Sequence, residues 1–251
     1  MKRKLIFTLL VAACAFFVQA QTADEIIAKY FENTGGKAKW EALQGIKMTA
    51  KANQNGMEFP VEMIYMKDGK QSTKFTIQGK EIKQGVYDGS TLWSTNFMNQ
   101  KAEKSDAEST ENFKANLASE FPFVFLNLKE KGHKIEALGK ETVDGTETFK
   151  VKLTKKPIKV DGKPEENIVF YYFDAENFVP LMSEEEIKSG QGKGMVVQSK
   201  FSDFQEANGL MMPFSLGQGV KGQPSQPPLV ITNIEIDPKL DQKFFAFPAG
   251  N

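Results

Sequence analysis

Three chemically versatile residue types are almost absent from this 251-residue chain, which has one arginine (Arg3), one histidine (His133) and one cysteine (Cys14). A single histidine excludes a two-histidine metal site and a zinc-binding H-E-x-x-H helix. His133 itself lies beside Gly132 in a charged stretch and reads as an exposed turn residue. One cysteine excludes an internal disulfide. Beyond Arg3 no planar guanidinium fork is on hand for carboxylate or phosphate, so lysines must serve as point charges. A Walker loop, a G-x-S-x-G elbow and a G-x-G-x-x-G turn behind a strand are also missing. The formal charge is zero and no basic stripe is interleaved with aromatics, which argues against a nucleic-acid partner.

Carboxylates are the one plentiful catalytic type. "KPEENI" (163–168) and "SEEEIK" (183–188) cluster them. Two well-placed acids suffice for a glycosidase, but such runs in strands and turns are ordinarily solvated edges that discourage sheet-to-sheet pairing. No twelve-residue calcium loop accompanies them. The chain is therefore read as a non-enzyme, without catalytic residues, metal or cofactor.

The first twenty residues look like a targeting segment. "MKRK" is a basic start, "LIFTLLVAACAFFV" is apolar but too short to span a bilayer, and Ala20 offers a small residue for cleavage before Gln21. The chain from Gln21 onward would carry a charge of about −3 and no cysteine. The alternative is a lipoprotein signal, since "VAAC" (11–14) fits the residues before an acylated cysteine, although the apolar run continues past Cys14. Export to the periplasm is the leading expectation, and a membrane anchor through Cys14 the other.

After Gln21, Thr22 and Glu25 have capping-box spacing, and Ile26, Ile27, Tyr30 and Phe31 recur with a helical period up to Gly35 and Gly36. A shorter helical piece carries Trp40 and Leu43. From Gly45 the period becomes two. Six Asn-Gly or Asp-Gly pairs, at 55–56, 68–69, 88–89, 144–145, 161–162 and 208–209, punctuate the strand-like runs and predict an antiparallel meander. "TFKVKLT" (148–154) alternates cleanly. "IVFYYFD" (168–174) is apolar on both faces, so both must be covered.

One interruption divides the strands. Ser105 and Glu108 again suggest a capping box, opening a polar helix with Phe113 and Leu117 facing inward. "SEFPFVFLNLKEKG" (119–132) then reads as a short apolar helix closed by Gly132. "SGQGKG" (189–194) reads as a long hairpin tip and "GQGVKGQPSQPP" (217–228) as a flexible loop. No linker divides the chain, which is expected to form one mostly-β domain (α+β) over 21–251. Nine methionines scattered through the strand region suit either an irregular core or a cavity for variable chains. A curved sheet and helices that are both greasy leave a pocket unless their own side chains fill it.

Taken in order, "ADEIIAKYFENTGGKAKWEAL", "YDGSTLW", "FPFVFLNLKEKG", "GKETVDGTETFKVKL", "VFYYFDAENFVPL", "SDFQEANGLMMPF" and "FFAFP" resemble the LolA-like family of outer-membrane lipoprotein-sorting carriers, in the form common in Bacteroidota. The resemblance implies an incomplete, strongly curved antiparallel barrel lidded by helices, with a hydrophobic cavity for acyl chains of lipoproteins or lipids. It also implies a cavity arginine that latches the lid, and no residue after Arg3 supplies one. On this reading Phe121, Phe123, Phe125 and Leu126 form the lid, and Tyr65, Phe75, Trp93, Phe149, Phe170 and Met182 form the walls. The expected role is an acyl-chain carrier or sensor, monomeric, serving lipoprotein sorting. The alternative is an envelope protein-interaction or regulatory module on the same fold, with loop 217–228 carrying the contacts.

Overall fold

The computed structural model describes residues 21–54, 56–117 and 124–248. Ala20, Phe121 and Phe123 therefore lie outside the described residues, as does Cys14. Helix α1 (Ala23–Asn33) starts as its spacing predicts. The Thr22 hydroxyl accepts from the Glu25 N–H at 3.3 Å, and the Glu25 carboxylate accepts from the Thr22 N–H at 2.9 Å. Its inward stripe of Ile26, Ile27, Tyr30 and Phe31 is buried. Helix α2 (Lys37–Ala42) buries Trp40, whose indole N–H donates to the Thr34 hydroxyl at 3.0 Å.

An N-terminal meander follows, made of β1 (Gly45–Gln54), β2 (Met57–Met66), β3 (Gln71–Ile77), β4 (Lys80–Tyr87), β5 (Leu92–Thr95) and β6 (Ala102–Lys104). Helix α3 (Ala107–Asn116) interrupts it. The second block contains β7 (Lys134–Val143), β8 (Thr146–Thr154), the small β9 (Ile158–Val160) and β10 (Lys163–Glu165) hairpin, and β11 (Ile168–Asp174). It ends with β12 (Pro180–Glu186), β13 (Val196–Ala207), β14 (Leu210–Val220) and β15 (Leu229–Ile236), followed by a 3₁₀ turn, Gln242–Phe245. All but β9 and β10 join one sheet, in the order β6-β5-β4-β3-β2-β1-β15-β14-β13-β12-β11-β8-β7. Every pairing is antiparallel, and β15 splices the two meanders by lying between β1 and β14. The sheet curves strongly without closing into a barrel.

Turn chemistry explains the meander. Asp144-Gly145 and Asn208-Gly209 both place two successive residues at positive φ, the geometry of a two-residue hairpin. Gln78-Gly79 does the same without the usual first residue. The alternation then sorts side chains between faces. On the concave face, Ile46, Met48 and Ala50 of β1 stand opposite Tyr65, Met63 and Val61 of β2. Val151 and Leu153 of β8 stand opposite Tyr171 and Val169 of β11. These residues, with α1, α2 and Val124, Phe125 and Leu126, form the main core.

Several expectations change. The N-cap of α3 is Asp106, whose carboxylate accepts from the Ser109 N–H at 2.7 Å, so the box predicted from Ser105 does not form. Residues 124–132 are a run of turns rather than a helix. Gly132 does close them as predicted. The His133 N–H reaches the Leu128 carbonyl at 2.8 Å and the Gly132 N–H the Lys129 carbonyl at 3.0 Å, with Gly132 at φ +72°. The loop expected over 217–228 begins only at Lys221, because β14 pairs with β13 as far as Val220. His133 is buried at 5% exposure instead of exposed. Glu184 is no solvated edge residue either: it accepts from the Tyr172 hydroxyl at 2.9 Å and Gln198 Nε2 at 2.7 Å, and pairs with Lys221 at 2.9 Å. Burial raises its pKa, but the three partners outweigh that and hold the carboxyl below its ordinary range. This polar network supplies the cover on the convex side of β11, whose two apolar faces both require one.

Candidate functional site: a cleft on the concave face

Concave-face residues meet two fates. Toward α1 rings interlock: Phe125 sits 4.9 Å from Tyr171, 5.3 Å from Phe173 and 5.7 Å from Tyr30, ring centre to ring centre. Smaller hollows of about 370 and 420 Å³ border this cluster, one along Ile27, Phe31, Phe125 and Leu128 and the other along Met66, Leu117 and Leu126. Toward the other ends of β11 to β15 a cleft of about 580 Å³ stays open. Met48, Met63 and Tyr65 line it from one arm of the curved sheet, Val169 and Tyr171 from the other, and Phe201, Leu216 and Leu229 across its floor. Phe113 and Asn116 of α3 border it from above.

Strand register explains the floor. One rung runs Tyr171, Ser183, Ser199, Gln218 across β11 to β14, and the next includes Phe201, Leu216 and Leu229. The first rung is polar beyond Tyr171 and the second is apolar, so the cleft is amphipathic. Lys155 crosses its edge, its side chain 4% exposed and its ammonium 3.2 Å from the Glu185 carboxylate. A second hollow of about 510 Å³ shares Ser183, Glu185, Ser199 and Gln218 and extends the cleft outward to Ile187, Lys188 and Ser189.

Helix α3 is fastened differently from α1. None of its residues is buried, and one stripe at i, i+4, i+8 reaches other backbone or side-chain groups. Glu108 accepts from the Asp161 and Gly162 N–H groups at 3.1 and 2.8 Å. Asn112 pairs both ways with the Lys159 backbone, at 2.6 and 2.7 Å. Asn116 accepts from Asn167 at 2.7 Å. Phe113 adds one ring contact, 5.1 Å from Tyr87. Polar clasps to the β9–β10 hairpin thus hold in place the helix that borders the cleft.

A cationic corner lies nearby. Burial, then the charges of Lys131, Lys155 and Lys156, push the His133 pKa down to about 4. Burial likewise lowers Lys131 to about 8. Among the described residues no three His, Cys, Asp or Glu side chains gather as metal ligands, and no helix is long and apolar enough to cross a membrane.

Of the residues predicted as walls, Tyr65 lines the cleft. Phe75 and Phe149 lie on the concave face but outside it, Phe75 6.3 Å from Phe59 and Phe149 stacked at 5.6 Å on Phe178. Trp93, Phe170 and Met182 point the other way. Trp93 lies beneath the C-terminal 3₁₀ turn, its indole N–H donating to the Phe245 carbonyl at 3.0 Å. Phe170 and Met182 stand in register with Lys152 and Tyr172, on the convex face. Of the predicted lid, Phe125 and Leu126 are buried in the core at 3% and 4% exposure. Sequence reasoning missed Val169, Leu216 and Leu229, and left Met48 and Met63 among the methionines that suit either a core or a cavity. Val169 was within reach, since it shares a face with Tyr171 and, across the ladder, with Leu153 of β8.

Solved structures show the same fold. A LolA superfamily protein from Nitrosomonas europaea matches with a TM-score of 0.52 at 14% identity, over 90% of this chain and 98% of that one. A domain from Vibrio parahaemolyticus, described as an outer-membrane lipoprotein-sorting protein, matches at 0.53 and 13% identity, over 88% and 94%. A DUF1329 family protein from Desulfovibrio piger matches at 0.54 and 14% identity, over 88% and 97%. No family model matches the sequence, and no curated protein does. The likeness is one of fold.

Proposed function

We propose that this chain is a carrier or sensor that shelters acyl chains of lipids or lipoproteins in the cell envelope, by binding and without chemistry. The open amphipathic cleft carries the reading. Its size of about 580 Å³ is that of a ligand site, and it exceeds the hollows of about 370 and 420 Å³ beside the ring cluster under α1. Its apolar walls suit a hydrocarbon chain, and the Ser183, Ser199 and Gln218 rung suits ester or headgroup oxygens. The solved LolA-fold neighbour described as a lipoprotein-sorting protein makes that cargo class the natural first choice.

Each buried methylene contributes about 0.8 kcal/mol, so a fourteen-carbon chain gains roughly 10 kcal/mol before ordering costs. A carrier must also let go. Helix α3, held by hydrogen bonds that water can replace, is the element whose release would open the cleft. This latch would serve in place of the absent arginine. The predicted export signal agrees with an envelope location.

The test is a Leu216→Trp variant titrated with a fluorescent fatty acid. Leu216 faces the cleft and is half-buried, so the larger ring fills the site without entering the core. Affinity should fall at least about tenfold, 1.4 kcal/mol, with the melting temperature nearly unchanged. Unaltered affinity in the folded variant would refute a cargo site in this cleft.

A further inference from the structure

Among the described residues six large apolar side chains are conspicuously exposed, and five of them lie along one rim of the sheet. The exposed residues lie at the β1/β2, β5/β6, β12/β13 and β14/β15 connections, which the antiparallel order brings to the same ends of the strands as the β3/β4 and β8/β11 connections. Met57, Phe97, Met98, Met195 and Val230 are 61%, 60%, 95%, 43% and 48% exposed there. Isolated exposed apolar residues need no explanation. Their confinement to one rim does, because the sixth, Leu138, is the sole one placed inside a strand away from it.

Lysine dominates the same rim. The β1/β2, β3/β4, β5/β6, β12/β13 and β14/β15 connections contain Lys101, Lys188, Lys193 and Lys221 and no aspartate or glutamate. Lys188 and Lys221 are paired with Glu186 and Glu184 at 3.2 and 2.9 Å. The β8/β11 connection at the same ends, 155–167, adds Lys155, Lys156, Lys159 and Lys163 against Asp161, Glu165 and Glu166. Four of the five hairpin connections at the opposite ends contain a carboxylate: Asp68, Asp88, Asp144 and Glu176. The acids nearest the apolar rim are engaged, Glu58 by Lys51 at 2.8 Å, Glu186 by Lys188 at 3.2 Å and Glu103 by Asn96 at 2.9 Å.

We propose that this rim docks onto an anionic lipid bilayer. Phe97 and Met98, at the tip between β5 and β6, enter the headgroup boundary while the lysines lie over anionic headgroups. The outward end of the cleft, at Ile187, Lys188 and Ser189, opens on the same rim. An amphiphile leaving the bilayer would meet the cleft mouth without crossing water. The surface assignment rests on the rim's own exposure and charge, and stands whether or not the cleft binds cargo.

Sedimentation with vesicles of phosphatidylcholine alone, or of phosphatidylcholine with phosphatidylglycerol, tests it on the exported chain and its variants, which share one N-terminus. The parent should prefer the anionic vesicles and lose that preference as salt rises. F97S/M98S, and separately K101E/K193E, should bind the anionic vesicles at least about tenfold more weakly, while L138S should match the parent. Fluorescent fatty-acid affinity, measured without vesicles, should be the same in all four proteins, which separates this surface from the cleft. Equal binding to both vesicle types, or folded rim variants that bind like the parent, would overturn the proposal. So would no binding to either vesicle, which would leave the rim to a protein partner.

Discussion

The two halves of the concave face are built from the same strands and differ in what covers them. Helix α1 presents a buried stripe of Ile26, Ile27, Tyr30 and Phe31, and the rings of Tyr30, Phe125 and Phe173 interlock beneath it. Helix α3 buries no residue and is fastened by Glu108, Asn112 and Asn116. Tyr171 stands at the boundary, one side against Phe125 and the other lining the cleft. An amphipathic helix completes a core, whereas a polar helix on clasps leaves the face beneath it open. The contrast is what places the proposed cargo site in the cleft under α3.

The largest effect should come from damage to the packed half. Phe125→Ala should cost about 3–5 kcal/mol, the range for an aromatic removed from a filled core, seen as a lower urea midpoint. A cost below about 1 kcal/mol would mean that this half is as loose as the other. Leu216→Trp should do the reverse, sparing stability and removing cargo. Smaller still, Asn112→Ala should cost about 1 kcal/mol or less, since its two hydrogen bonds are solvent-exposed. It should also speed exchange of bound fluorescent fatty acid in stopped-flow displacement. Exchange rates equal to the parent's would remove α3 from the role of latch.

Much of the local architecture was legible because it depends on neighbours in sequence. The Thr22 and Glu25 cap, the Asp144-Gly145 and Asn208-Gly209 turns and the alternation of β8 follow from spacing alone. The site was less legible because alternation says which residues share a face and not which face is concave. β11 shows the difficulty: Val169 and Tyr171 turn to the cleft, Phe170 and Tyr172 to the polar network, and all are apolar or aromatic. Trp93 was misplaced because the residues that cover it, Phe245 and Phe247, come from the far end of the chain. Glu184 and His133 were misread because their burial depends on strands and turns distant in sequence. The predicted lid residues Phe121 and Phe123 lie outside the described residues, and the clasped α3 was legible only as a polar helix.

Methionine methyl groups report both halves at once. Met48 and Met63 line the cleft, and Met212 is fully buried in the packed core. In protein labelled with carbon-13 at the methionine methyls, titration with a spin-labelled fatty acid should broaden the Met48 and Met63 resonances at lower fatty-acid concentration and more strongly than that of Met212. Cleft resonances that stay sharp at saturating fatty acid, or broaden no more than Met212, would contradict the account.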